Sequence, residues 1–95
     1  MMVGGFGQSK EVTDDVIALC NEVKPEVETK LGKSMTTWEP ISYKTQVVAG
    51  TNYKIKVKIS DSEFIHIKVF KPLPHTGEPL SLTEVTEAHA EHEEL

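Results

Sequence analysis

Cys20, four histidines and fifteen carboxylates are the residues of this chain that could do chemistry. A catalytic centre needs a nucleophile, acid or base brought together with its partners. Cys20 falls among Val16, Leu19, Val23 and Val27, which recur at three- and four-residue steps. That spacing puts the thiol on the apolar stripe of a helix, where it reads as a small buried side chain and not as a nucleophile. His66 alternates with Ile65 and Ile67 and so belongs to the wet face of a sheet. His89 and His92 stand three apart among glutamates. One helical face could offer both to a metal, but no further ligands align with them, and a solvated acidic tail is the simpler reading. Lys44, Lys54, Lys56, Lys58 and Lys68 could make a phosphate-binding stripe. They are more simply the solvent side of a sheet, where lysine discourages edge-to-edge association. Gly4-Gly5-Phe6-Gly7 is not a phosphate loop, since no Gly-Lys-Ser/Thr follows it. No enzyme active site, metal site or cofactor site is expected.

Three segments remain whose composition contradicts the exposure expected of them. Gln46-Val47-Val48-Ala49-Gly50 lies between two strand-like runs. Hairpin turns ordinarily use Asn, Asp, Gly or Pro, which accept the required dihedrals and tolerate water. Two valines there make a stiff apolar projection, suited to another protein's groove; the plain alternatives are a buried loop or an unbroken strand. Gly4-Gly5 is backbone with almost no side chain near the start of the chain, and alone would read as a loose terminus. Leu73-Pro74-His75 lies in a loop and alone would read as an ordinary proline turn.

The elements that must position these segments are legible from periodicity. Val12, Val16, Leu19, Cys20, Val23, Val27 and Leu31 form one stripe of a helix over about residues 13–31. Thr13 suits the N-cap, Asp14 and Asp15 the positive end of the dipole, and Gly32 the stop. Pro25 lacks an N–H and clashes with the preceding turn. Because the stripe keeps phase across it, one kinked helix is expected and not two. From Ile41 the period changes to two. Ile41 and Tyr43, then Tyr53, Ile55, Val57 and Ile59, then Ile65, Ile67 and Val69 mark strands of a half-buried antiparallel sheet. Residues 60–63 are a turn, and residues 71–79 hold too much proline for a strand. Residues 80–85 alternate again, and the remaining tail is expected to be extended. Residues 1–11 show no periodicity and read as a mobile arm.

Composition narrows the class further. Ninety-five residues make a single domain. Net charge is −5, and all ten basic residues are lysine. Absence of arginine, the residue suited to forked recognition of bases and phosphates, argues against a nucleic-acid partner. The charge is uneven: residues 41–75 hold six lysines against Asp61 and Glu63, while residues 76–95 hold six acids and no lysine. These are solvated faces, or an acidic tail that offsets the lysine-rich sheet. One cysteine allows no intrachain disulfide. The amino terminus lacks the roughly 7–15-residue apolar core of a signal peptide, and no run approaches the roughly 18 apolar residues of a membrane span. A cytoplasmic protein with no membrane contact is expected.

Gln46-Val47-Val48-Ala49-Gly50, with Gly4-Gly5 before it and Leu73-Pro74-His75 after it, resembles the stefin (type 1 cystatin) family of cysteine protease inhibitors. The likeness includes the flanks Ser42-Tyr43-Lys44-Thr45 and Thr51-Asn52-Tyr53 and the strand Val69-Phe70-Lys71, and runs through nearly the whole chain. Val85 departs from it, standing where tyrosine is implied. The resemblance implies an α+β, cystatin-like fold: a twisted antiparallel β-sheet wrapped around one long amphipathic helix. It implies a reversible, tight-binding inhibitor of papain-like cysteine proteases such as lysosomal cathepsins, and no enzyme. Gly4 and Gly5 would cross near the protease's catalytic cysteine. Gln46, Val47, Val48, Ala49 and Gly50 would fill the cleft beside the catalytic pair. Leu73, Pro74 and His75 would cover the primed side. Two alternatives stand beside this: a non-inhibitory interaction or scaffold domain of the same fold, and a domain-swapped dimer that buries the hairpin tip, the inhibitor itself being a monomer.

Overall fold

A computed structural model of the chain describes Gly7 and residues 9–88, excepting the side chain of Ala88. Its elements are β1 (Lys10–Glu11), α1 (Asp14–Leu31), β2 (Glu39–Val48), β3 (Gly50–Lys58), β4 (Phe64–Lys71) and β5 (Ser81–Ala88). The helix begins and ends where its caps dictate. Thr13 is extended, and its Oγ1 accepts from the Val16 N–H at 3.4 Å. Gly32 takes the left-handed conformation and donates its N–H to the Glu28 carbonyl at 2.8 Å. The helix runs unbroken through Pro25, because the stripe on either side of it is anchored: Val16, Leu19, Cys20, Val23 and Val27 are all buried.

The strands form one antiparallel sheet in the order β1-β2-β3-β4-β5. Register fixes the faces. Ile55 lies opposite Ile67, Val57 opposite Ile65, and Tyr53 opposite Val69, so one apolar face covers the helix stripe. The resulting core closes with Met35 and Leu82, and with Val12 and Leu31 packed at its margin. Among the described residues, no helix is long and apolar enough to cross a membrane.

The outer face differs from the expectation of a wholly wet surface. Lys56 and His66, directly opposite one another, are only 7% and 8% exposed. Phe64 on the same face is buried too, and the Lys56 Nζ stands 5.2 Å from the centre of its ring. These three residues shelter one another: His66 lies across the ladder from Lys56, and the lysine's ammonium group sits over the Phe64 ring. A second difference lies at the start. Residues 1–11 were expected to be a mobile arm, yet Lys10 pairs with Tyr43 and Glu11 with Ser42. Two residues are too short a strand to show a period. Residues 86–88 continue β5 as an extended segment; His89, His92 and the rest of the tail lie outside the described residues.

Cys20 is fully buried, and desolvation pushes its thiol from 9.0 up to about 12. The raised value belongs to the folded state. Stability from this group is therefore intact below pH 9 and is lost as pH rises from about 9 to 12, where only the unfolded chain ionises, with a slope of at most about 1.4 kcal/mol per pH unit. Denaturant midpoints measured between pH 8 and 11 should fall more steeply for the parent than for Cys20→Ala. Equal slopes would show that the thiol ionises as readily in the folded state.

Candidate interaction site at one end of the sheet

Pairing of β2 with β3 continues into the turn itself. Gln46 lies opposite Asn52, Val47 opposite Thr51 and Val48 opposite Gly50, leaving Ala49 at the bend. The valines are thus the last residues of a strand, held extended by the ladder. They suit this backbone because both are β-branched. Val47 is 77% exposed, and Val48 and Ala49 are exposed as well. The neutral amide of Asn52 donates to the Gln46 Oε1 at 3.1 Å and braces the hairpin across the pair just below the valines.

Gly50 is the reason the turn can close. Its φ is +127°, a conformation that side chains rarely permit, and it is buried. A Cβ there would stand 2.6 Å from the Lys71 carbonyl oxygen and 2.8 Å from Cζ of Phe70. The glycine lets the end of β4 approach the hairpin at its root.

Leu73, Pro74 and His75 stand in the connection between β4 and β5. Pro74–Thr76 forms one 3-10 turn within a stretch expected to be irregular. The Leu73 carbonyl accepts from the Thr76 N–H at 3.1 Å and from its hydroxyl at 2.8 Å, and Gly77, at φ +68°, ends the turn. This local fixing points Leu73 outward: it is 40% exposed, with Pro74 and His75 exposed beside it. The connection stands off α1 across an open groove of about 690 Å³, between Glu22 and Glu26 on the helix and Leu73 and Glu78 on the loop.

Both apolar projections share one end of the sheet, since β2 finishes and β3 starts there, and β4 finishes and β5 starts there. Gly7 lies on the same side. Gly7 donates its N–H to the Thr45 carbonyl at 2.9 Å, beside the strand that leads to the valines. Gly4 and Gly5 lie outside the described residues. Reading across the sheet, the order is Gly7, the Val47–Ala49 tip, then Leu73–His75.

The family model described as "Cystatin domain" matches residues 4–92. The chain belongs to the cystatin family, in its stefin branch. It is 45% identical to Cystatin-A of Felis catus over all of this chain and 97% of that protein. It is 37% identical to Stefin-C of Bos taurus over 98% of this chain and 92% of that one. Leukocyte cysteine proteinase inhibitor 1 of Sus scrofa is 43% identical over 86% of this chain and 80% of its own length.

In this cystatin the exposure of Val47, Val48 and Leu73 was legible in the sequence, and the contacts beneath them were not. Gln46 and Asn52 could be placed in one hairpin, but their hydrogen bond depends on register, which the stretch between them does not specify. Phe70 lies on the outer face by period, yet its approach to Gly50 joins strands whose pairing only the structure gives.

Proposed function

We propose that this cystatin is a reversible, tight-binding inhibitor of papain-like cysteine proteases of the lysosomal cathepsin type. Exposed Val47 and Leu73 on one end of the sheet support this reading most directly. Gly4-Gly5, the Gln46–Gly50 tip and the Leu73–His75 loop together form a wedge that occupies the active-site cleft. The glycines allow close approach to the enzyme's backbone. The cleft is blocked by occlusion, without acylation or cleavage. The name of the Sus scrofa relative, a cysteine proteinase inhibitor, supports the target class. A lone buried thiol suits action in a reducing compartment such as the cytoplasm.

Magnitudes require more than one segment. Burying a valine contributes about 1.5–3 kcal/mol, whereas nanomolar binding requires about 12 kcal/mol net of association entropy. An interface of standard size, about 800 Å² per partner, can supply it. Monomeric fractions from size exclusion, titrated into papain, should abolish peptidase activity with one chain per enzyme. Full activity at micromolar inhibitor would instead favour a non-inhibitory interaction domain, and inhibition confined to dimeric fractions would contradict the exposed tip.

Deleting residues 1–5 should raise the dissociation rate about tenfold and leave association nearly unchanged, because loss of one contact segment acts mainly on escape from the complex. Stopped-flow competition with a fluorogenic substrate measures both rates; an unchanged dissociation rate removes the arm from the wedge.

A further inference from the structure

Four residues on the outer face form a row directly beneath both exposed segments. Gln46 is opposite Asn52, Asn52 opposite Phe70, and Phe70 opposite Ser81. The row crosses β2, β3, β4 and β5. Its Gln46–Asn52 half is tied by the 3.1 Å hydrogen bond. Its Phe70–Ser81 half is the root of the second loop, since everything from Lys71 to Leu80 hangs between those two residues. Phe70 also touches the root of the first hairpin: its Cζ and Cε1 lie 2.8 and 2.9 Å from where a Gly50 Cβ would be. One ring therefore abuts the origin of both projections. Phe70 is half-buried and lies outside the hydrophobic core cluster between helix and sheet.

We propose that Phe70, assisted by Asn52, is a positioning residue that holds the Val47–Ala49 tip and the Leu73–His75 loop at a fixed separation before a partner arrives. The proposal deepens the inhibitor reading and rests on it for the identity of the partner. The logic is preorganisation. A wedge of separate loops binds only when all are aligned, and affinity falls in proportion to the aligned fraction. Packing at Gly50 ties the tip to the end of β4, and pairing with Ser81 ties the end of β4 to the returning strand. Removing the ring leaves Gly50 with only the Lys71 carbonyl beside it and loosens the tip relative to the loop.

The test compares the parent with Phe70→Ala, Phe70→Leu and Asn52→Ala, by papain inhibition kinetics and by amide hydrogen exchange of residues 48–51. Phe70→Ala should raise the inhibition constant about tenfold, the expected result of a tenfold fall in the aligned fraction. The association rate should carry that loss, exchange at the tip should quicken, and exchange in α1 should not change. Phe70→Leu should restore much of both properties, and Asn52→Ala should move both in the direction of Phe70→Ala. Parent-like inhibition and exchange in Phe70→Ala would overturn the proposal. A weakened inhibitor with unchanged tip exchange would also overturn it, since Phe70 would then act by direct contact. If the parent itself fails to inhibit papain, the inhibitor reading falls, and the exchange comparison still decides whether Phe70 holds the tip.

Discussion

Val47→Asp should weaken papain inhibition about 100-fold while lowering stability by no more than about 1 kcal/mol, the span of strand propensities. Val47 is 77% exposed, so the folded monomer gains little from its side chain. Aspartate at the end of a strand beside a turn is tolerated by water and meets no opposing acid, since its partner across the ladder is Thr51. In the complex the balance reverses. The buried valine's contribution of about 1.5–3 kcal/mol is lost, and a carboxylate must shed its hydration in a cleft with no partner designed for it. About 3 kcal/mol in total corresponds to roughly a hundredfold. Thermal unfolding and inhibition constants measured on the same preparation separate the two effects. A variant that inhibits like the parent would place the tip outside the interface. A variant that loses its melting transition would show that Val47 supports the hairpin and is not simply displayed by it.

That separation of display from support also explains what the sequence could and could not convey. The helix was legible because its signals are local: Thr13, the aspartates and Gly32 lie within the segment they delimit. Strand faces were legible because side chains alternate with a fixed period. Exposure of Val47, Val48 and Leu73 was legible as a conflict between residue type and turn chemistry. Which outer-face residues are covered was not. Lys54 and Lys56 share a strand and a face, yet Lys56 lies beside Phe64 and opposite His66 and is buried, while Lys54 is half-buried. His66 is covered for the same reason. Short pairings were also invisible: Lys10–Glu11 have no pattern of their own, and only Tyr43 and Ser42 across the ladder make them a strand. Close approaches between distant segments, such as Gly50 against Phe70, depend on both facts together.

Gly50→Ala should destabilise the fold by about 3 kcal/mol, the sum of backbone strain and overpacking, each about 1–3 kcal/mol. The strain arises because alanine must hold φ near +127°. The overpacking arises because its methyl would stand 2.6 Å from the Lys71 carbonyl oxygen and 2.8 Å from the Phe70 ring. The ring can swing, but the carbonyl belongs to the β3–β4 ladder, where Thr51 pairs with Lys71. Relief therefore requires either opening the last pair of that ladder or flattening the Val48–Gly50 turn. Both routes displace the tip from the second loop. Inhibition should fall together with stability, unlike the result expected at Val47. Denaturant unfolding should show a lower midpoint with an unchanged slope, since the fold is kept and only its free energy changes. Parent-like stability in Gly50→Ala would mean that the hairpin reaches an alternative turn without strain. The approach of β4 to the hairpin root would then not be what fixes a glycine at this position.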